Sequence, residues 1–251
     1  MSEIARIHAA SPVQDVASGV VERRLRLHSR VDVGSAAALA GLLGRPSRFE
    51  AGSLIAQAGD DADIVTVVQN GVVARLNHLP DGRRQIHSLF IPGDTADAEI
   101  SLLKVRPDSL QAISEVWAWR VPRGRVAALG GTDPRLAEAL AREAAIAAQV
   151  AREWVVNIGR RDAEERIAHL ICELHTRMEA VGLVRDRGFF QPLTQQDLAD
   201  SQGISAVHVN RVLQGLRGRG LIRTARHHLV VLDLEQLQTI ALFDPVYLSL
   251  R

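Results

Sequence analysis

Residues 192–232 read Pro192-Leu193-Thr194-Gln195-Gln196-Asp197-Leu198-Ala199, then Gln202-Gly203-Ile204-Ser205, then Ala206-Val207-His208-Val209-Asn210-Arg211-Val212-Leu213-Gln214-Gly215-Leu216-Arg217, and close on Gly220-Leu221-Ile222-Arg223-Thr224-Ala225-Arg226-His227-His228-Leu229-Val230-Val231-Leu232. Thr194 with Asp197 three residues on has capping-box spacing, so a helix starts there. Gly203 can take the left-handed backbone that a tight interhelical turn needs. Ser205 is a good N-cap for a second helix. In that helix Val209, Val212, Leu213 and Leu216 recur at three-and-four spacing and form one apolar stripe. The opposite face carries Val207, His208, Asn210, Arg211 and Gln214. Leu221-Ile222 and Leu229 to Leu232 read as two short strands around a polar turn.

Two helices, a tight turn and a trailing hairpin make a winged helix-turn-helix. Its polar face has the chemistry of a major-groove reader. Arg pairs in bidentate fashion with guanine, Asn or Gln with adenine, and Val207 suits a thymine methyl. From Ser205 to His228 every formally charged residue is basic: Arg211, Arg217, Arg219, Arg223 and Arg226. Phosphates demand such a run, because neutralising them releases counterions. The expected base contacts are Val207, His208, Asn210 and Arg211. The expected phosphate contacts are Thr194, Ser205, Gln214, Arg217, Arg223 and Arg226. A helical hairpin with a solvated basic face would share the Gly turn. It would not require cap, turn, apolar stripe, acid-free face and hairpin to agree.

These residues resemble the Crp/Fnr family of transcription regulators. The resemblance rests on Asp197-Leu-Ala, Gly203-Ile-Ser205, His208-Val-Asn210-Arg211-Val-Leu, and Leu216-Arg217 through Gly220-Leu-Ile222. It implies that Arg211 contacts a base. The family often has Glu where Val207 stands, and often turns its wing on Gly where this chain has Arg226-His227-His228.

The 251 residues are enough for two modest domains, and with 47% of them apolar a sizeable core needs no staples. The formal net charge is only +1, so nucleic-acid binding must rest on local clustering. Cys172 is the only cysteine, which rules out an internal disulfide and a cysteine-rich metal site. No apolar run approaches the roughly 18 residues that span a bilayer. Met1 to Ala10 lacks the apolar core of a signal peptide. The expected compartment is the cytosol, with no membrane partner.

Upstream, Val20 to Leu27 has helical spacing, and Arg23, Arg24 and Arg26 read as a solvated basic face. Residues 34–43 are Ala-rich and read as a short helix. From Phe49, short apolar runs punctuated by Gly52, Gly59, Gly71, Gly82 and Gly93 suggest an antiparallel sandwich or roll, with Asp81-Gly82 and Pro92-Gly93-Asp94 as turns. This block resembles the family's β-roll sensor domain. Thr132-Asp133-Pro134 opens a long helix in which Leu136, Leu140, Ala144, Ala147, Val150 or Ala151, and Trp154 form a stripe. A two-fold partner can cover such a stripe, and the resemblance implies that this helix pairs two subunits. Gly159 to Asp162 reads as a hinge. A scaffold helix over 163–178 turns Ile167, Leu170, Ile171 and Leu174 inward and Glu164, Glu165 and Arg166 outward. Phe189-Phe190 leads into Pro192, and residues 234–243 close the fold. The expected fold class is thus α+β. It comprises an N-terminal segment (1–30), a β-roll (31–130), a dimerisation helix (132–158) and a winged helix-turn-helix domain (160–251).

The resemblance raises the question of an effector. The family's cyclic-nucleotide sensors use a Gly-Glu step and a nearby Arg-Ser-Ala or Arg-Thr-Ala. Here Gly93-Asp94-Thr-Ala-Asp97-Ala-Glu99 precedes Arg106-Pro107-Asp108-Ser109. Arg106 stands near the phosphate position, but Asp94, Asp97 and Asp108 add negative charge there. Asp94, Glu99, Arg106 and Ser109 outline the candidate effector pocket, with a cyclic nucleotide disfavoured. An iron–sulfur cluster needs several thiolates, which Cys172 alone cannot supply. Haem ligation by His78 or His87 has little in its favour, because a lone strand His is more often a satisfied side chain. No metal site is expected. The histidines do not form the tight pair of a cupin-like oxygenase, and no phosphate-loop, Gly-x-Ser-x-Gly or His-Glu-x-x-His pattern occurs. The expectation is a non-enzymatic, homodimeric regulator that binds double-stranded DNA at an inverted repeat. Its effector is unknown, and RNA polymerase is a further candidate partner. The alternatives are a β-roll ligand-binding regulatory subunit and a cupin-like metalloenzyme.

Overall fold

The computed structural model describes residues 13–28, 41–97 and 103–250. Helix α1 (Val13–His28) comes first. Seven strands follow: β1 (Ser47–Phe49), β2 (Leu54–Ala56), β3 (Ile64–Asn70), β4 (Val73–His78), β5 (Arg84–Phe90), β6 (Ser109–Ala112) and β7 (Val116–Pro122). They form two antiparallel sheets, ordered β1-β7-β3 and β2-β6-β4-β5. Ile55, Val68, Val73, Phe90, Leu110 and Val116 come from both sheets and join in one buried cluster, the interior of the roll. The β3–β4 turn depends on Gly71. Its φ is +87°, and a Cβ there would sit 2.3 Å from the Glu115 carbonyl oxygen. The helix expected over 34–43 lies mostly outside the described residues.

The roll ends earlier than expected. After Pro122 the chain forms α2 (Arg123–Thr132), a helix with no buried side chain. The long helix α3 (Pro134–Arg160) starts as its sequence requires: the Asp133 carboxylate accepts from the Arg135 amide at 3.0 Å, and Pro134 occupies the first turn. It runs through Gly159, so the expected hinge narrows to Arg161-Asp162. Asp162 caps α4 (Ala163–Ala180) in a capping box with Glu165. Ile167, Leu170, Ile171 and Leu174 are buried, as their spacing requires. Arg166, expected to face out, is half-buried instead. It donates to the carbonyls of Arg161 (2.8 Å) and Gln202 (3.0 Å) and so ties α4 to the helix-turn-helix.

Then come β8 (Gly188–Phe190), α5 (Gln195–Gln202), α6 (Ala206–Gly218), β9 (Ile222–Ala225), β10 (His228–Val231), α7 (Leu234–Ala241) and a 3₁₀ turn over Pro245–Leu248. The third sheet is ordered β8-β10-β9. One apolar cluster holds Leu76, Ile86 and Leu89 of the roll together with Ile167, Ile171, Leu198 and Leu213 of the C-terminal helices. The Arg84 guanidinium of β5 reinforces this contact, reaching Asp197 (2.6 Å) and Asp200 (2.7 Å) of α5.

The reading of Arg23, Arg24 and Arg26 as a solvated face needs correction at Arg24. Arg24 is buried and lies 3.3 Å from both Asp94 and Glu143. Arg23 donates to the Val181 carbonyl at 2.9 Å. Arg23 nevertheless stays exposed, and Arg26 also keeps to the surface, paired with Glu22. Val20, Val21 and Leu25 are buried, so α1 is an integral part of the protomer.

Candidate nucleic-acid interface

The N-terminus of α5 is held by a reciprocal pair. Thr194 Oγ1 accepts from the Asp197 amide (3.1 Å), and Asp197 Oδ2 accepts from the Thr194 amide (2.9 Å) and hydroxyl (2.7 Å). Gly203 ends the helix at φ 66°, ψ 34°, the left-handed conformation that a side chain disfavours. Ser205 Oγ then accepts from the His208 amide at 3.2 Å and starts α6. Val209, Leu213 and Leu216 are buried and Val212 is half-buried, so one stripe anchors the helix. Its orientation follows from that stripe. Val207 is 81% exposed, Arg211 and Gln214 are exposed, and His208 and Asn210 are half-buried beside them.

The wing pairs β9 with β10 in the register His228↔Ala225 and Val231↔Ile222. Arg226 takes φ +51° at its tip, where Gly would be cheaper, so an Arg is kept there at a backbone cost. Arg223 and Arg226 are exposed. Arg217 donates to Thr224 Oγ1 at 3.0 Å, which fixes the end of α6 to the wing. Arg219 pairs with Glu164 of α4 and is drawn off this face. Ser205 uses its oxygen as acceptor for the cap, which leaves the hydroxyl proton available to donate. The Thr194 hydroxyl already gives its proton to Asp197, which argues against the expected phosphate contact there.

The candidate effector residues do not converge. Arg106 is buried, bonded to Asp97 (2.7 Å) and near Asp108 (3.5 Å). Ser109 Oγ accepts from the Ala58 amide at 3.0 Å. Asp94 lies elsewhere, between Arg24 and Arg177. It lines a cavity of about 210 Å³ between the roll and α3, whereas Arg106 lines a separate hollow of about 320 Å³ with Asp60, Asp61 and Asp63. Glu99 lies outside the described residues. His87 Nε2 is 2.9 Å from Asn77 Oδ1. Cys172 is fully buried, and burial pushes its thiol pKa up to about 12.

The expected dimer stripe is out of phase. Leu136 and Trp154 are buried inside the protomer, where the Trp154 indole donates to Glu173 Oε2 at 3.0 Å. Leu140, Ala144 and Ala147 are half-buried, and Ala151 is exposed at the rim of the 210 Å³ cavity. The face turned outward is one residue further along: Ala137, Ala141, Ala145, Ala148, Arg152 and Val155, the last 73% exposed.

Sequence reasoning missed the buried charges that join the parts. Arg177 Nη2 donates to Asp94 (2.6 Å) and to the Leu89 carbonyl (2.9 Å), and Nη1 donates to Glu173 (2.9 Å). A signal was present: Arg177 falls one turn after Leu174 on the inward face of α4.

A β-roll, a long helix and a winged helix-turn-helix with an acid-free outer face define a DNA-binding transcription regulator. Comparison with known proteins agrees. The family described as Crp-like helix-turn-helix domain matches residues 165–240, and that described as cyclic nucleotide-binding domain matches residues 46–133. The nitrogen fixation regulation protein FixK of Azorhizobium caulinodans is 34% identical over 72% of this chain and 72% of its own length. A probable transcriptional activator of Rhizobium leguminosarum bv. viciae is 30% identical over 76% and 79%. The solved structure of FixK2 from Bradyrhizobium japonicum superposes with a TM-score of 0.70 at 24% identity, covering 78% of this chain and 96% of that one. The chain belongs to the Crp/Fnr family of transcription regulators. The family is one of regulators, not enzymes. No helix among the described residues is long and apolar enough to cross a membrane.

Proposed function

We propose that the protein works as a homodimer on an inverted-repeat operator, with α6 of each subunit in one of two successive major grooves about one helical turn apart. Val207, His208, Asn210 and Arg211 read bases. Ser205, Gln214, Arg217, Arg223 and Arg226 hold phosphates. The observation that carries this reading is the outer face of α6 and the wing, where Arg211, Arg223 and Arg226 are exposed and the sequence from Ser205 to His228 contains no acid.

The long helix α3 (Pro134–Arg160) is the proposed pairing element, between the roll of β1 to β7 and the DNA-binding domain that follows it. The stripe from Ala141 through Ala145 and Ala148 to Val155 supports it, because small side chains let two helices approach closely and Val155 offers apolar surface to a second copy. A cyclic nucleotide is a poor effector for this roll: Asp97 and Asp108 already neutralise Arg106, the cation its phosphate would need. The effector, where there is one, has another chemistry. RNA polymerase is a proposed further partner on family resemblance alone.

Selection of bound duplexes from a random pool tests the DNA reading and should return an inverted repeat. Arg211→Ala should then cost about 1–3 kcal/mol on that site and relax selectivity. Equal loss on random DNA, or no enriched duplex at low salt, would overturn the reading. Light scattering of an Ala141→Glu/Ala145→Glu variant tests the pairing face, with monomers as the expected result.

A further inference from the structure

Among the described residues Val207 is the most exposed large apolar side chain. Its place in the first turn of α6 earns nothing from packing, and a β-branched residue is a mediocre helix former. Neither burial nor propensity therefore accounts for it. Its neighbours are polar or basic: Ser205 at the cap, His208 and Asn210 beside it, and Arg211 one turn on. Residues at the start of a recognition helix meet base edges. The apolar group those edges display in the major groove is the C5-methyl of thymine. A carboxylate at this place would instead accept from a cytosine amino group, and Val offers no acceptor.

We propose that Val207 is a specificity-determining residue that reads the thymine C5-methyl group, one such methyl in each operator half-site. The inference rests on the DNA-reading role of α6 proposed above. Val207 and Arg211 are four residues apart, about 6 Å along the helix axis. Base pairs rise by about 3.4 Å. The methyl under Val207 therefore belongs to a T·A pair one or two steps from the guanine that Arg211 contacts.

The test uses the full-length protein and a duplex selected from a random pool. Each thymidine is replaced in turn by deoxyuridine, which removes only the methyl, and Kd is read by fluorescence anisotropy at fixed salt. One thymine per half-site should stand out. Its replacement should weaken binding about fourfold, and replacement in both half-sites about sixteenfold, as expected for losing contact with one methyl-sized group per subunit. The V207A variant should melt like the parent, because the side chain is exposed, and should bind the thymine and uracil duplexes alike. The inference is overturned if no thymine is sensitive, or if the sensitive thymine stays sensitive in V207A. Failure to enrich any duplex would remove the DNA-reading role of α6 itself, and this inference with it.

Discussion

Arg177→Met removes a cation from the centre of a buried cluster that joins every part of the protomer. The guanidinium bonds Asp94 of the roll and Glu173 of α4, and Glu173 also accepts from Trp154 of α3 (3.0 Å) and from the Tyr247 hydroxyl (2.9 Å). Arg24 of α1 adds its charge to Asp94 and Glu143. Two cations thus serve three carboxylates, all of them buried. Burial first, and then the neighbouring Asp94 charge, raise the Glu143 pKa above its ordinary value against the pull of Arg24. In Arg177→Met, Asp94 and Glu173 lose the cation that bonds them both. Removing one partner of a buried pair costs about 3–5 kcal/mol. For a chain of this length that lowers Tm by about 10 °C, at roughly 2–4 °C per kcal/mol. Calorimetry or circular dichroism at pH 7 measures it. The deficit should shrink as the pH falls, because a raised carboxylate pKa means that the folded state holds the proton more tightly. Asp94→Asn in the same chain should restore part of the loss, since the two residues are directly coupled. A penalty below about 1 kcal/mol, or strict additivity in the double variant, would refute this account of the cluster.

Three further outcomes are expected. His169 is buried against Phe243 (5.2 Å, edge-on) and Tyr247 (5.9 Å, stacked). Burial first, and then the Arg161 charge, pushes its pKa down from 6.5 to about 3, and Arg161 also occupies the nearby Glu153 (2.8 Å). The unfolded imidazole takes a proton below pH 6.5 and the folded one does not. Its contribution is therefore complete above 6.5 and is lost as the pH falls, by about 2 kcal/mol at pH 5. Denaturant titrations at pH 7 and 5 should show this slope, with His175, also lowered by burial, adding to it. His169→Phe should flatten the slope, and an unchanged slope would contradict the assignment. Cys172 should resist iodoacetamide in the folded protein and react only in denaturant; fast native labelling would place the thiol elsewhere. Gly71→Ala should cost roughly 2 kcal/mol or more by urea titration, because it combines a positive φ with a clash against the Glu115 carbonyl.

Features set by neighbours in sequence were legible. The Thr194–Asp197 box, Gly203, the Ser205 cap and the Val209–Leu216 stripe are local, and each occupies the position its spacing assigns. The strand runs of the roll were legible for the same reason. The partners of buried charges were not. Arg84 meets Asp197 across 113 positions, Arg177 meets Asp94 across 83, and Arg24 meets Glu143 across 119. No spacing rule reaches that far, so Arg24 read as solvated and Arg84 drew no attention. The effector residues are a different case. Asp97 and Asp108 lie near Arg106 in sequence and their charge was legible there, but the bonds they make to it, and the separation of Asp94 from it, come from the fold.

The burial of Leu136 and Trp154 within the protomer has its own physical cause. Between Ala137 and Ala151 alanine occurs on nearly every side of the helix, so periodicity in alanine alone cannot choose a face. The large residues choose it. Leu136, Ile146 and Trp154 are buried against the protomer, and the side chains beside them follow. A stripe through Leu136 and Trp154 is therefore the intramolecular one, and advancing each position by a single residue rotates it by about 100° to the outside. There Ala137, Ala141, Ala145 and Ala148 are small and exposed, and this is why the pairing variant proposed above carries its charges at 141 and 145. The same substitutions at 147 or 148 would reach the cavity between the roll and α3 as well, and a monomer obtained that way would say nothing about which face meets the partner.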